Sequence, residues 1–431
     1  MSLTKTVGLV AVSTLAIGGA AFGAEQNNDF QAQIAELKAQ IAQLQGAQGS
    51  QWLTEQRAAE IRGIVTDVLA DSETRSSLQG ASGSGYNGGF FLSSADGNFS
   101  MKINVLEQIR YTFNDQDIGT EQASGFENKR TRLTFGGNMV DSSWSYKLAY
   151  YLGYSNSNEP GIGANTLADA SVSKDMGNGM SVTVGQFKLP FSAEYAIDTG
   201  HLQFNDYSVV NSLMNTGYGQ GIMLGYSADA FRVGVAYSNG WNTVNQAWGA
   251  APANDWSLTA RGEYKFSGDW AQFNDGQSWK GEGMGAKIGV GFAAQDSNTT
   301  DTTPSKFTVD GTVDFGGANV TAAYYMNDDD AGTESNGFTL AGGVFVTDDF
   351  EAVVRYENAS DLFPTDLNTL VLGGNWYLAK NTAKLGLEFG YSFDEIPAGA
   401  DIDGIFNGSG WIGSGADDGE WLLQAQLSFS F

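Results

Sequence analysis

Residues 144–154 read WSYKLAYYLGY, a stretch in which large apolar side chains occupy every even position. Tryptophan, leucine and tyrosine fill the even positions from Trp144 to Tyr154, whereas the odd positions include Ser145 and Lys147. Successive side chains of a β-strand point to opposite faces, so strict alternation predicts a strand with one apolar and one polar face. This stretch therefore predicts a strand that separates an apolar environment from a polar one.

The same alternation recurs from residue 99 to the end of the chain and predicts sixteen strands, an even number. Most of them are about ten residues long, the length that a tilted membrane-spanning strand needs. We predict an all-β transmembrane barrel of about sixteen antiparallel strands over residues 99–431, preceded by a short N-terminal α-helical coiled-coil segment. The predicted strands are 101–113, 129–139, 144–154, 166–174, 180–187, 222–228, 231–237, 256–266, 284–294, 305–315, 318–326, 338–346, 350–358, 370–377, 383–393 and 421–431.

Charged side chains within the predicted strands avoid the apolar face, with Glu107 as the clear exception. A charge that faces hydrocarbon near the bilayer midplane costs ~2–4 kcal/mol, whereas one that faces a wet lumen costs little. The charge pattern therefore predicts a hydrated, ionised interior. A soluble β-sandwich also alternates, but it would rarely place tryptophan and tyrosine at the strand ends of its other face. The inward-facing charges are Lys102, Arg110, Arg130, Arg132, Lys147, Arg232, Glu263, Arg261, Lys265, Lys287, Asp310, Asp314, Glu351, Arg355, Glu357, Lys384 and Glu388.

The connections between the predicted strands alternate between short and long. Residues 140–142 and 229–230 are short connections, whereas 188–221 and 394–420 are long ones. Short periplasmic turns and long external loops are the pattern of an outer-membrane barrel. The connection 267–283 is the exception, because it is too long for a turn at its end of the barrel.

Composition excludes several classes of function. The 431 residues carry a net charge of −27, with one histidine and no cysteine. Nucleic-acid binding needs a basic face, so we expect no nucleic-acid partner. Disulfides, thiolate metal sites and histidine clusters are excluded as well.

The N-terminal residues 1–24 have the features of a signal peptide. Lys5 precedes an apolar run from Val7 to Ile17, and Ala21-Phe22-Gly23 is a small-x-small cleavage site. These features predict export of the chain.

Residues 25–80 are predicted to form a periplasmic helical stalk. The apolar residues Phe30, Ile34, Leu37, Ile41 and Leu44 follow heptad spacing, which is typical of a coiled coil. A solvated amphipathic linker is the alternative. Residues 81–98 are rich in glycine and serine and predict a flexible linker and barrel entry.

Two motifs resemble the phosphate-selective porin O/P family of Gram-negative outer membranes. They are ENKRTRLTFGGNMVDSSWSYKLAYYLGY at residues 127–154 and GNGMSVTVGQFKLPFSAEY at residues 177–195. The resemblance implies a sixteen-stranded homotrimeric barrel in outer-membrane lipid, with one pore in each protomer. The chain departs from the family at residues 218–221, which read YGQG where a basic residue often stands. Residues 81–431 also carry 17 basic and 41 acidic residues, so we expect a general or weakly selective porin.

The long loop 188–221 carries the predicted mechanism. We expect it to fold into the barrel and set its carboxylates against basic side chains of the first three strands, so that a transverse field admits small hydrophilic solutes and ions. A plain surface loop is the alternative. The predicted pore-lining residues are Lys102, Arg110, Arg130, Arg132, Lys147, Lys188, Glu194, Asp198 and Asp206.

Other functions receive less support from the sequence. A second reading is a structural barrel that anchors the stalk to a periplasmic cell-wall partner. His201 could act as a base beside Ser192 or Ser208, but no third orienting group is identifiable. We expect no cofactor. Ca²⁺ could bind acidic outer loops, which solvation explains equally well. The acidic clusters are Asp328-Asp329-Asp330 with Glu334, Asp401 with Asp403, and Asp417-Asp418.

Overall fold

A computed structural model of the chain divides it into two units, Met1–Ala81 and Ser82–Phe431. In the first unit residues 35–40 are helical and exposed. The predicted signal peptide and most of the predicted coiled-coil stalk lie outside the described residues, so both remain predictions. No helix in the described part of the chain is long and apolar enough to cross a bilayer. The structure describes residues 35–40, 63, 83–115, 122–152, 166–247, 254–297, 301–361, 366–396, 408–412 and 419–431.

The second unit is a closed antiparallel β-barrel of sixteen strands, from β3 (Ser100–Asp115) to β18 (Trp421–Ser430), which confirms the predicted number. Each strand pairs with the next one in the chain, and β18 pairs back onto β3, with Leu427 opposite Ile109. Closure leaves no unpaired edge, so every backbone ladder is satisfied within the barrel. The strands are β1 Gly83–Tyr86, β2 Phe90–Ser93, β3 Ser100–Asp115, β4 Gln122–Met139, β5 Asp141–Leu152, β6 Leu167–Gly177, β7 Met180–Lys188, β8 Tyr218–Ser227, β9 Phe231–Ser238, β10 Asn254–Ser267, β11 Gly285–Ser297, β12 Ser305–Asp314, β13 Ala318–Asp328, β14 Glu334–Phe345, β15 Phe350–Ser360, β16 Leu367–Tyr377, β17 Ala383–Ser392 and β18 Trp421–Ser430.

The glycine-rich segment before the barrel differs from its prediction as a flexible linker. β1 and β2 form a hairpin, and β2 pairs with the start of β3, with Phe90 opposite Ile103. Backbone pairing with β3 fixes this segment despite its composition. The side-chain amide of Asn104 also donates to the main-chain oxygen of Gly88 at 2.6 Å.

Burial follows the alternation that the sequence predicted. Leu224, Phe266 and Leu387 on the outer face expose 58%, 67% and 53% of their surface, whereas Arg355 and Glu357 on the inner face are buried. Aromatic pairs lie near the strand ends at both rims of the barrel, as in the aromatic girdles of outer-membrane barrels. Examples are Tyr226–Phe231, Tyr264–Phe266, Phe113–Trp421 and Tyr391–Phe393.

Two connections fold into the lumen from opposite ends of the barrel. Loop L3, residues 189–217, joins β7 to β8 at the long-loop end and contains helices α1 Ala193–Ala196 and α2 Val209–Met214. The inner segment, residues 268–284, joins β10 to β11 at the short-turn end and contains a 3-10 turn at Gln272–Asn274. It is the connection that looked too long from the sequence, and its inward path accounts for its length. These two segments define the interior of the barrel.

Candidate functional site

L3 crosses the lumen and packs against the wall on its far side. The Ser192 and Ser208 hydroxyls accept the amide protons of Tyr195 and Asn211, and so cap α1 and α2. Val209, Val210 and Met214 of α2 are fully buried and cluster with Ala293, Ala323 and Tyr325 of β11 and β13. Apolar packing on one side and polar contacts on the other therefore fix the loop inside the barrel.

Three basic side chains of β3 and β4 converge on one carboxylate of L3. Arg110 Nη2 lies 2.9 Å from Asp206 Oδ2, Arg130 Nη2 lies 2.5 Å from Oδ1, and Lys129 Nζ lies 3.2 Å from Oδ2. Arg110 also donates to the main-chain oxygen of Gly408 at 2.9 Å, and Lys129 donates to the same oxygen. The cluster therefore holds both L3 and a piece of the last long loop against the wall.

The charge of Asp206 is stabilised by these neighbours although the residue is buried. Burial alone would raise the pKa of the Asp206 carboxyl, but Arg130, Lys129 and Arg110 outweigh it and hold that pKa well below its usual range. Asp206 is therefore ionised throughout the physiological pH range. A fixed negative charge thus lies against the basic wall, as we expected from the sequence.

Lys129 belongs to this cluster, and reasoning from strict alternation missed it. The register between β3 and β4 shifts between Gln108 and Ile109, so that Gln108 faces Arg130 and Ile109 faces Asn128. Lys129 is the extra residue of this β-bulge, and it faces the lumen beside Arg130. The run KRTR at residues 129–132 was the available signal, because Lys129 and Arg130 are adjacent and strict alternation cannot turn both toward the lumen.

Arg132 and Lys188 bind other parts of L3. Arg132 Nη2 donates to both carboxylate oxygens of Asp198 at 2.7 and 2.8 Å. Lys188 Nζ donates to the main-chain oxygen of Tyr195 at 3.0 Å and to the Tyr207 hydroxyl at 2.8 Å. Lys188 therefore anchors the start of L3, and Asp198 pairs with the basic wall.

Glu194 does not face the basic wall of the first strands, contrary to our expectation. Its carboxylate accepts the Ser208 amide proton at 2.6 Å and the Ser208 hydroxyl at 2.7 Å, at the start of α2. Burial raises its pKa, although Arg355 on β15 opposes this shift. Because α1 turns Glu194 toward α2, the residue joins the two helices of L3 instead of reaching β3 or β4.

Lys102 and Lys147 lie at the two margins of the basic wall. Lys147 Nζ pairs with Asp169 of β6 at 3.0 Å, so its partner is on a neighbouring strand. Lys102 lines a cavity at the short-turn end, together with Arg132 and Asp198. Neither lysine is part of the cluster around Asp206.

The wall opposite the basic cluster carries charges of both signs. Arg261 donates to both carboxylate oxygens of Asp310 at 2.7 Å and to the main-chain oxygen of Phe191 at 2.8 Å. Lys287 Nζ lies 2.9 Å from Glu263 Oε1. A cavity of about 70 Å³ lies between L3, the inner segment and strands β11–β15, so the two segments together narrow the lumen on this side.

The residues considered for catalysis have structural partners. Ser192 and Ser208 cap helices, and the Ser192 hydroxyl donates to Asn211 at 2.6 Å. His201 Nδ1 lies 2.7 Å from Asp275 Oδ1, and this hydrogen bond raises the pKa of the imidazole. These contacts assign the serines and His201 to loop structure.

One candidate Ca²⁺ cluster lies within the described residues, at the connection between β13 and β14. Asp328 and Asp329 accept backbone amide protons of Asp330, Ala331 and Thr333. The clusters at residues 401–403 and 417–418 lie outside the described residues. Within the described ranges, no group of three or more acidic, histidine or cysteine residues could hold a metal ion.

Several solved structures share this fold at low sequence identity. An anion-selective porin from Comamonas acidovorans is 15% identical, with a TM-score of 0.54, and the alignment covers 77% of this chain and 99% of that one. OmpF of Salmonella typhi, in a complex with daunomycin, is 11% identical, with a TM-score of 0.53 and coverage of 78% and 98%. OmpT of Vibrio cholerae is 14% identical, with a TM-score of 0.50 and coverage of 77% and 98%. No curated protein matches the sequence significantly.

The family assignment comes from the sequence itself. The sequence profile described as "Phosphate-selective porin O and P" matches residues 102–342, which is more than half of the chain. The matched range holds the basic cluster, L3 and the inner segment. Family and fold point to a channel rather than an enzyme, and they place the barrel in the outer membrane. The chain therefore belongs to the phosphate-selective porin O and P family.

Proposed function

We propose that this porin is a weakly selective channel through which small hydrophilic solutes and ions diffuse passively. L3 narrows the lumen, its carboxylates Asp198 and Asp206 bind the basic wall, and solutes pass beside these ion pairs. The observation that carries the proposal is the contact of Asp206 with Arg110, Lys129 and Arg130. Charges of both signs line the space that L3 leaves open, and such charges orient dipolar solutes and exclude apolar ones.

We infer weak selectivity, rather than phosphate selectivity, from the occupied donors of the basic cluster. Arg110 donates to Gln426, Gly408, Asn205 and Asp206. These guanidinium donors would otherwise suit a bidentate phosphate, but the protein's own oxygens already accept from them. A phosphate ion would have to displace Asp206 to bind here.

The proposed assembly is a homotrimer embedded in outer-membrane lipid, with a pore in each protomer. The family assignment supports this proposal, and the apolar outer face of the barrel suits contact with lipid. The predicted coiled-coil stalk over residues 25–80 would assist assembly at the periplasmic end.

The reversal potential of the reconstituted channel across a tenfold KCl gradient tests the selectivity. We expect a small potential, because cations and carboxylates both line the passage, and we expect added phosphate to leave the chloride current unchanged. A potential near the limit for pure chloride selectivity, or a saturable block by phosphate, would contradict weak selectivity.

A structural barrel that anchors a periplasmic cell-wall partner is the second candidate. The observation that favours it is the number of barrel strands that form hydrogen bonds with L3. Lys384 of β17 donates to Leu202, Asn375 of β16 donates to Gln203, and Glu388 accepts from Asn205. A lumen sealed by these contacts would carry no current, so conductance separates the two candidates.

A further inference from the structure

The inner segment lies against L3 inside the short-turn mouth of the barrel. The other connections between the sixteen barrel strands at this end have one to five residues, whereas the inner segment runs from 268 to 284. Besides the contact of Asp275 with His201, the Gly276 amide donates to the His201 main-chain oxygen at 2.9 Å. A Cβ on Gly276 would lie 2.6 Å from the amide nitrogen of Gln203. Glycine is therefore required for the two segments to approach so closely.

Further contacts fix the inner segment to the far wall. The side-chain amide of Asn319 on β13 donates to the Gly276 main-chain oxygen at 2.8 Å. The side-chain amide of Gln277 donates to Asn381 Oδ1 at 2.8 Å. Trp279 is buried with Phe345 and Tyr377, at ring distances of 5.5 and 4.8 Å. The segment therefore reaches from β10 and β11 to the turn between β16 and β17, and it closes that part of the mouth.

A cavity of about 700 Å³ remains between the inner segment, the start of β3 and the C-terminal half of β4. Its wall carries charges from four parts of the barrel: Lys102 and Arg132 on the strands, Asp198 on L3, Glu282 on the inner segment and Lys380 on the turn between β16 and β17. Asp198 is paired with Arg132 at 2.7 Å, and Asp275 is paired with His201. Glu282 is thus the cavity carboxylate with no basic partner within 4.0 Å among the described residues, and it accepts the Trp279 amide proton at 3.1 Å.

We propose that the inner segment forms a second constriction at the periplasmic mouth, and that Glu282, which lines this cavity together with Lys102 and Lys380, discriminates among solutes there. The ligand class is small dipolar solutes and small ions, which an opposed carboxylate and two ammonium groups orient in transit. The inference rests on the proposed function, because it requires a conducting pore. It adds a second site, between L3 and the periplasmic mouth, that acts on the same solutes.

The absence of cysteine from the chain allows a direct test by thiol modification. Glu282→Cys places a thiol in the cavity, and Asp229→Cys places one on an exposed turn at the same end, where the aspartate side chain is fully solvated. A bulky cationic methanethiosulfonate is applied from both sides of a planar bilayer. We expect it to lower the single-channel current of Glu282→Cys by about two-fold, reversibly with dithiothreitol, and to leave Asp229→Cys unchanged.

A charge change gives a second measurement. Glu282→Gln should shift the reversal potential toward chloride, whereas Asp229→Asn should not. An unchanged current after complete modification of Glu282→Cys, confirmed by mass spectrometry, would overturn the inference, and so would failure of the reagent to reach that thiol. A wild-type barrel that carries no current would instead overturn the proposed function.

Discussion

Replacing Asp206 by asparagine is expected to release L3 from the basic wall and to shift the pore toward anions. The substitution leaves Arg110, Lys129 and Arg130 buried without their carboxylate. Removing one partner of a buried ion pair costs about 3–5 kcal/mol, because the remaining charge is uncompensated. Strand pairing does not involve Asp206, so the barrel itself should remain folded.

Single-channel recording and limited proteolysis measure the effect of Asp206→Asn. We expect noisier conductance steps, a reversal potential shifted toward chloride and faster cleavage within residues 194–214. Asp301→Asn removes the same charge from an exposed connection and is the matched control. Adding Arg130→Gln to Asp206→Asn should partly restore quiet steps, because it removes one of the uncompensated charges. Identical recordings from the wild type and from Asp206→Asn would show that the ion pairs do not hold L3.

Deleting residues 194–206 should enlarge the pore. This stretch supplies α1, the contact of Asp198 with Arg132 and the contact of Asp206 with the basic cluster. Conductance rises with the cross-section of the narrowest part, so we expect the single-channel conductance to increase by about two-fold or more.

The deletion needs proof of folding and a control. Retarded migration of the unheated protein on gels, lost on boiling, would show that the barrel is closed. Deleting residues 330–332 at the connection between β13 and β14 should leave conductance unchanged, because that connection lies outside the lumen. An intact barrel whose conductance does not change when residues 194–206 are removed would show that L3 is not the constriction.

The strands could be predicted from the sequence because their signal is local. Each of the sixteen strands carries its own alternation, as in Trp144, Tyr146 and Leu148. Contact with lipid favours an apolar side chain at every outward-facing position. The same rule predicted that the side chains of Arg355 and Glu357 face the lumen. The pairing of L3 with the basic wall was also accessible, since Asp198 and Asp206 are the acidic residues in the loop's central part.

Features that depend on distant neighbours could not be predicted. Lys129 reaches the lumen through a β-bulge that single-strand alternation does not reveal. Glu194 turns toward Ser208 because α1 and α2 pack together, and this contact becomes visible only when both helices are placed. The two strands of the β1–β2 hairpin have four residues each, which is too short for an alternation to be recognised, and their order comes from pairing with β3.

Conductance of the purified full-length protein in a planar lipid bilayer tests most directly whether this barrel encloses an open, water-filled passage. Our account predicts discrete current steps whose size scales with the conductivity of the KCl solution. It is contradicted if protein that is folded by gel mobility inserts into the bilayer and produces no steps.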